Sequence, residues 1–185
     1  MQHVNETLGD PEIVARVLAG DTDAFGILVD RYQDVFARYA THMMGSVDDA
    51  ADVIQDSFVR AYRFLNRCED RANFKSWLFT VVSNQCKTQL ARRKRRATLP
   101  ITEGLEVAGS EDPVADTLGV ETKELVNRAL RDLSPDHREA IVLKYIEDLS
   151  LPEMAKMLGT SIPALKMRLL RARAALRAKL EGVET

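Results

Sequence analysis

Residues 150–173, SLPEMAKMLGTSIPALKMRLLRAR, predict two short helices joined by a turn at a glycine. Ser150 and Glu153 have the Ser-x-x-Glu spacing of a capping box, which satisfies free N–H groups where a helix begins. Gly159 stands where the turn needs a left-handed backbone, which glycine adopts without a steric cost. This pattern is typical of a helix-turn-helix, whose second helix enters the major groove of DNA.

The second helix of this pair separates its apolar residues from its basic ones. Its N-cap is Ser161 or Thr160, and a spacing of three and four predicts a buried stripe of Ile162, Leu165, Leu169, Ala172 and Leu176. An apolar Met167 at the centre of the opposite face is better suited to a thymine methyl group than to water. The residues expected to face DNA are Pro163, Ala164, Lys166, Met167, Arg168, Arg171 and Arg173. The alternative is a basic helix that docks on an acidic protein.

Charge is segregated along the chain although the net charge is only −2. Residues 87–96 and 164–180 contain basic residues and no acidic one, whereas residues 103–124 are mainly acidic. Charge patterning of this kind predicts two anion-binding segments separated by an acidic connector.

Several classes of protein do not fit this sequence. No apolar run reaches the ~20 residues of a membrane-spanning helix, and the N-terminus lacks the features of a signal peptide. Cys68 and Cys86 fit neither a disulfide framework nor zinc-binding spacing, and we expect Cys86 to be buried and inert. No phosphate-binding glycine loop, metal-spaced His/Cys set or nucleophile–base pair is recognisable. We therefore expect a cytoplasmic protein that is not an enzyme, with no cofactor, no metal, no small-molecule substrate and no direct membrane insertion.

Helical periodicity predicts an all-α chain of two small domains joined by a flexible linker, the C-terminal domain containing the helix-turn-helix. The expected boundaries are residues 8–96, an acidic linker at 97–118, and residues 119–182. In the first domain, helices should begin at Asp10 as N-cap, near Asp21, at Ser46 or Asp48, and at Lys75 after a polar loop at 66–74. In the second, helices should begin near Val120 and at Ser134-Pro135, where Ile141, Val142 and Tyr145 form an apolar face.

Three segments carry a resemblance to a known family. Residues 46–65, SVDDAADVIQDSFVRAYRFL, and 74–96, FKSWLFTVVSNQCKTQLARRKRR, resemble region 2 of bacterial RNA polymerase sigma factors, most closely the extracytoplasmic-function (ECF) group. Residues 133–176, LSPDHREAIVLKYIEDLSLPEMAKMLGTSIPALKMRLLRARAAL, resemble region 4 of the same group. The resemblance implies a sigma factor that directs promoter recognition and transcription initiation, in a stress or envelope response and restrained by an anti-sigma factor.

The resemblance also implies partners and residue roles in the first domain. Core RNA polymerase would be bound through its β′ clamp helices and its β subunit. The residues that match the β′-binding stretch are Asp49, Asp52, Gln55, Asp56, Ser57 and Arg60. From the residues alone, a solvated helix face is the alternative interpretation.

The loop at 66–74 and the helix after it resemble the reader of the −10 promoter element, which holds unpaired bases. Such a reader needs amides, stacking surfaces and cations that follow the DNA backbone. The residues that supply these groups are Asn66, Arg67, Arg71, Asn73, Phe74, Lys75, Asn84, Lys87, Arg92 and Arg93. Spacing favours a core position for Trp77 over a stacking role, and leaves both open for Phe74.

The second domain implies recognition of the −35 element through the helix that begins near residue 162. Where the family commonly has Gly-Thr and Lys-Ser, this chain has Pro163-Ala164 and Lys166-Met167, so its −35 sequence should differ. A free-standing helix-turn-helix regulator is the alternative function. Against it, the first domain shows no α/β receiver pattern, and two basic segments suit a promoter with two elements.

Overall fold

The computed structural model describes residues 8–98 and 117–181, and side chains within 8–97 and 124–181. Every regular element in those ranges is helical, which confirms the all-α prediction. The helices are α1 Asp10–Leu18, α2 Phe25–Met44, α3 Val47–Arg63, α4 Phe74–Thr98, α5 Thr117–Arg131, α6 Pro135–Ile141, α7 Leu151–Met157 and α8 Ile162–Glu181. The predicted linker at 97–118 lies largely outside the described residues. No described helix is both long and apolar enough to cross a bilayer.

Serine side chains begin three of these helices as the sequence predicts. Ser46 Oγ accepts the N–H of Asp49 at 3.3 Å at the start of α3, and Ser134 plays the same role for α6. At α7 the capping box is complete, because Ser150 N–H donates to Glu153 Oε2 at 2.8 Å.

The predicted N-cap of α1 is wrong by one residue. Gly9 is the N-cap, and its N–H donates to Glu12 Oε2 at 2.8 Å. The Asp10 carboxylate instead accepts hydrogen bonds from Arg31 Nη1 and Tyr32 Oη, each at 2.5 Å. The Asp10 carboxylate therefore forms two hydrogen bonds with α2 instead of capping α1, and these bonds connect α1 to α2.

The core of the N-terminal helices surrounds α2. Leu28, Phe36 and Tyr39 are almost fully buried, and Phe36 and Tyr39 both pack against Phe79 of α4. On α3 the buried residues include Ala50 and Ala61.

The C-terminal helices depart from the predicted pattern at two apolar positions. After Ile141, α6 continues as a π-helical turn, Val142–Ile146, and Tyr145 is 56% exposed. A π turn has more residues per turn than an α-helix, so it rotates the later side chains away from the α-helical stripe. Ile162 is also exposed, because a side chain in the first turn of α8 points back past the helix end. Gly159 has φ +58°, as its turn requires.

The N-terminal and C-terminal helices pack on each other. One apolar cluster runs from the core around α2 and α4 into Leu143, Met154 and Leu165 of the C-terminal helices. The Arg138 guanidinium of α6 also donates to the Met43 carbonyl at the end of α2. The N-terminal half of the chain, α1–α4, and the C-terminal half, α5–α8, therefore share one hydrophobic core.

Candidate nucleic-acid interface

The outer face of α8 is exposed and combines cations with apolar atoms. Met167 is 49% exposed and Leu170 is 58% exposed, whereas Leu165 and Leu169 are buried on the opposite face of α8 and pack in the core. The predicted residues that are exposed are Pro163, Ala164, Lys166, Met167, Arg171 and Arg173. Arg168 is half-buried, and its charge helps the Lys87 ammonium lower the pKa of Asp136.

Leu170 lies three residues from Met167, on the outer face where helical spacing also places it, beside the residues predicted to face DNA. Its exposure makes the centre of this face apolar over two neighbouring side chains. A cationic rim around an apolar centre suits a groove edge, where phosphates flank thymine methyl groups.

Five of the six predicted polymerase-contact residues share one face of α3. At 100° per residue, Asp49, Asp52, Gln55, Asp56 and Arg60 fall within one half of the helix surface. This polar face of α3, residues 49–60 excluding the buried stripe, is rich in carboxylates, and such a surface attracts a basic partner.

Ser57 does not belong to that face, so the sequence assignment is wrong for direct contact in this arrangement. It is fully buried, and its Oγ donates to the Val53 carbonyl at 2.6 Å. The buried stripe of α3 contains Val53 and Ala61, and Ser57 lies between them at a spacing of four.

The segment between α3 and α4 forms a cleft of about 310 Å³, which we call the loop cleft. Two 3₁₀ turns shape it, Leu65–Arg67 and Arg71–Asn73. The lining residues are Arg67, Cys68, Glu69, Asp70, Asn73, Ser76, Trp77, Thr80 and Lys156. The predicted residues Asn66, Arg71 and Lys75 are exposed nearby, and the Arg67 guanidinium lies over the Phe64 ring at 4.7 Å.

Phe74 is a core residue in this arrangement, which is one of the two positions that its spacing left open, and its ring is not available to stack on a base. Its side chain has no exposed surface, and its ring packs 5.8 Å from both Tyr32 and Trp77. Trp77 itself is half-buried, packing on the core and lining the loop cleft. It therefore fulfils the expected core position and also offers an exposed edge.

A second cleft of about 290 Å³ runs along one side of α4, and we call it the helix cleft. Its lining residues are Arg60, Trp77, Thr80, Val81, Asn84, Gln85, Thr88 and Arg92. Asn84 and Arg92 were predicted from the sequence to contact DNA, whereas Thr80, Gln85 and Thr88 were not. The spacing 77, 80/81, 84, 88 was the available signal, because it marks one helix face.

Lys87 and Arg93, both expected to contact DNA, are paired with carboxylates. Lys87 Nζ lies 2.8 Å from Glu139 Oε2 and 3.0 Å from Asp136 Oδ1, and Arg93 Nη1 lies 2.7 Å from Asp49 Oδ2. Burial acts to lower the pKa of Lys87, but the hydrogen bonds and charges of the two carboxylates outweigh it and raise that pKa.

Glu139 was not recognised from the sequence as a functional residue. It is fully buried, and its Oε1 accepts from Ser83 Oγ at 2.5 Å and from Tyr39 Oη at 3.1 Å. Burial, followed by the charge of Glu139, raises the pKa of Tyr39 well above its usual value. The carboxylate therefore sits in a site whose hydrogen-bond donors come from α2 and α4.

Both cysteines are buried free thiols, so Cys86 is buried as expected. Burial is the main cause that raises the pKa of Cys86 to about 12, and burial also raises the pKa of Cys68. Within residues 8–98 and 117–181, no group of three His, Cys, Asp or Glu side chains is arranged to hold a metal ion.

Comparison with known families now assigns the chain. Residues 28–96 match the Sigma-70 region 2 family, and residues 123–176 match Sigma-70, region 4. The ECF RNA polymerase sigma factor SigW of Bacillus subtilis (strain 168) is 31% identical, covering 92% of this chain and 96% of SigW. The ECF RNA polymerase sigma-E factor of Escherichia coli (strain K12) is 30% identical, covering 96% of this chain and 97% of that protein. The chain belongs to the ECF group of the sigma-70 family.

Solved structures agree with that assignment. CnrH in complex with the cytosolic domain of CnrY is 32% identical, with a TM-score of 0.66, covering 94% of this chain and 97% of CnrH. RpoE in complex with the anti-sigma factor NepR from Bartonella quintana is 26% identical, with a TM-score of 0.61, covering 85% of this chain and 96% of RpoE. The comparisons give no support to a free-standing helix-turn-helix regulator.

Proposed function

We propose that this sigma factor binds core RNA polymerase through the polar face of α3 and binds a promoter through two separate surfaces. The observation that carries the proposal is that one chain presents an exposed carboxylate-rich helix face, a cleft lined by amides and an indole, and an exposed cationic helix. A polymerase-bound promoter reader needs all three.

The polymerase contact assigned to α3 is the β′ clamp helices, with the β subunit as a further contact of the bound chain. Asp52 and Asp56 stand one turn apart on the exposed surface of α3, and Gln55 lies beside them. Carboxylates at that spacing can form charge-assisted hydrogen bonds with arginines on a partner helix.

The −10 element is assigned to the domain at 8–96, and the −35 element to the domain at 119–182. In the first, Trp77 and the amides of Asn73 and Asn84 line the two clefts, where unpaired bases could stack and form hydrogen bonds. In the second, Arg171 and Met167 stand on the outer face of α8. Side chains of these types can contact both base edges and phosphates.

Run-off transcription with core polymerase and a promoter library tests the whole proposal. We expect specific transcripts from the wild-type chain and at least tenfold fewer from a variant carrying Asp52→Lys and Asp56→Lys, because two new cations would repel the basic partner. Asp30→Lys and Asp34→Lys together are the matched control on exposed positions of α2. A chain that neither binds core polymerase nor starts specific transcripts refutes the proposal.

The −35 assignment has its own test in the assembled holoenzyme. Arg171→Ala should weaken promoter binding by about 1–3 kcal/mol if Arg171 contacts a base, and it should change the preferred −35 sequence. Arg177→Ala, at an exposed position nearer the end of α8, is the control. An equal loss on every sequence assigns Arg171 to phosphate, and no loss contradicts the assignment of this face to DNA.

The regulatory partner proposed for this chain is an anti-sigma factor, since RpoE was solved in complex with the anti-sigma factor NepR. We also propose that the protein acts in the cytoplasm, where promoter DNA and polymerase are found, and that it performs no catalysis of its own. A pull-down from cells that express the tagged chain should recover core polymerase and one small partner in separate complexes.

A further inference from the structure

We infer that the chain inhibits itself: its C-terminal helices fold back over the −10 surface and are held there by a buried carboxylate latch centred on Glu139. The inference rests on the proposed assignment of the −10 surface to α4 and the loop cleft. It concerns the free chain, without an anti-sigma factor.

The first support is that the hydrogen-bond donors to Glu139 all belong to the other half of the chain. The side chain belongs to α6, yet its three donors, Tyr39, Ser83 and Lys87, belong to α2 and α4 and lie 100, 56 and 52 residues away. A carboxylate without exposed surface is stable only when its oxygens are satisfied and its charge is compensated. Both conditions are met across the interface, so the site exists only while the halves are together.

The second support is that the latch occupies groups proposed for DNA. Lys87 Nζ is held between Glu139 and Asp136, at 2.8 and 3.0 Å. On α7, the Lys156 ammonium donates to the side-chain oxygen of Asn73, and Lys156 closes one side of the loop cleft. A base that entered this cleft would lie beside the Lys156 ammonium of α7 and compete with it for Asn73.

The third support is a mismatch of length. The −10 and −35 elements lie ~25 base pairs apart, which corresponds to ~85 Å along B-DNA at 3.4 Å per base pair. A compact chain of 185 residues has a radius of gyration of ~16 Å, or a sphere ~40 Å across. The closed chain therefore cannot contact both elements, and separation of the halves must precede promoter binding.

The inhibition is asymmetric. The outer face of α8 remains open in the closed chain, with Met167 and Leu170 about half exposed, whereas Asn73 and Lys87 are engaged. Opening should therefore increase binding to single-stranded DNA much more than binding to duplex DNA.

The main test measures the distance between the halves in the full chain. Spin labels go on Ala15→Cys in α1 and Ala178→Cys in α8, both exposed, and the parent chain is checked for labelling of its buried cysteines. Double electron–electron resonance should give one narrow distance distribution for the otherwise wild-type chain. Glu139→Lys should raise the ratio of open to closed chains about tenfold or more, because a cation then faces Lys87.

Matched variants separate the latch from simple charge and folding effects. Glu124→Lys, at an exposed position of α5, makes the same charge change and should leave the distribution narrow. Lys87→Glu combined with Glu139→Lys reverses the pair and should narrow the distribution relative to Glu139→Lys alone, although only in part, because a carboxylate at position 87 then faces Asp136. Glu139→Gln keeps the side-chain shape but removes the charge that pairs with Lys87, so it should open the chain more than wild type and less than Glu139→Lys. It therefore carries the test if the lysine variant does not fold.

DNA binding provides the second readout. Glu139→Lys should bind a random single-stranded oligonucleotide at least fivefold more tightly than Glu124→Lys does, with less than a twofold difference on random duplex. A broad distance distribution in the otherwise wild-type chain, or equal single-strand binding by the two variants, overturns the inference. Run-off transcription by the wild-type chain with core polymerase tests the proposed function separately, because a sigma factor without a latch would still start transcripts.

Discussion

Arg138 should be among the most sensitive positions in the chain to substitution. Its side chain is 4% exposed and donates to three backbone carbonyls: those of Leu130, Arg131 and Met43. These carbonyls stand in the last turns of α5 and α2, where backbone oxygens have no intrahelical partner. One guanidinium therefore caps two helices from different halves of the chain.

The expected cost of Arg138→Met follows from those contacts. The Leu130 carbonyl keeps a second donor, the Leu133 N–H at 3.1 Å, so the loss falls mainly on the carbonyls of Met43 and Arg131. Leaving a buried acceptor without a partner costs about 1–3 kcal/mol. Methionine preserves much of the apolar stem, and losing a buried charge recovers some desolvation energy. We expect a net loss of about 3 kcal/mol in the free energy of unfolding, or a Tm lower by roughly 6–12 °C.

Urea unfolding followed by circular dichroism at 222 nm measures this loss, with Tm from a thermal scan as a second reading. Arg177→Met, exposed on α8, is the control and should stay within about 0.5 kcal/mol of wild type. Arg138→Lys keeps the charge but cannot reach three carbonyls, so it should recover less than half of the loss. A value for Arg138→Met within about 1 kcal/mol of wild type would refute the capping role.

Three further predictions concern local features. Gly45→Ala should destabilise the chain more than Gly20→Ala as measured by Tm: both have positive φ, but a Cβ at Gly45 would lie 2.5 Å from the Arg131 side chain, whereas at Gly20 it would meet nothing within 4 Å. Cys86, whose pKa is raised to about 12, should be almost wholly protonated at pH 8 and resist a thiol reagent until guanidinium unfolds the chain; rapid reaction in the native chain would contradict this. Ser150→Ala should cost about 1 kcal/mol in urea unfolding, because α7 loses its cap, and no measurable change would show that the capping box is dispensable.

The sequence predicted local structure where one segment supplies all its own signals. The capping box at Ser150 and the left-handed Gly159 depend on neighbouring residues only, and each appears as expected. Tyr145 was misplaced because the periodicity argument assumes 3.6 residues per turn, and the π turn after Ile141 changes that number.

Side chains that choose a distant partner were beyond local patterns. Asp10 has the composition and position of an N-cap, but Arg31 and Tyr32 of α2 bind its carboxylate instead. Ser57 was assigned to the polymerase contact because it lies in the matching stretch, yet its hydroxyl donates to the Val53 carbonyl and the side chain is buried in the core. In both cases the deciding partner became visible only in the folded chain.

The candidate site likewise contains features that local sequence patterns predict and features that depend on distant residues. The outer face of α8 could be read from helical spacing, since a helix that is held on one side leaves the other side free. Glu139 could not be found this way, because a lone glutamate on a short helix is usually solvated. Its importance comes from Tyr39, Ser83 and Lys87, which lie on two helices of the other half.

The contact with Glu139 also shows how one lysine can have a different anionic partner in the closed and in the open chain. Lys87 meets a carboxylate in the closed chain, and the proposed function gives it a phosphate in the open one. Both partners are anions, so exchanging one for the other keeps the lysine charged and paired. Since Glu139 becomes hydrated once the halves separate, its burial cost is recovered in the open state, and the penalty for opening falls chiefly on the apolar interface. A buried ion pair therefore stabilises the closed chain less than an apolar contact of the same size, which suits the inferred opening of this interface.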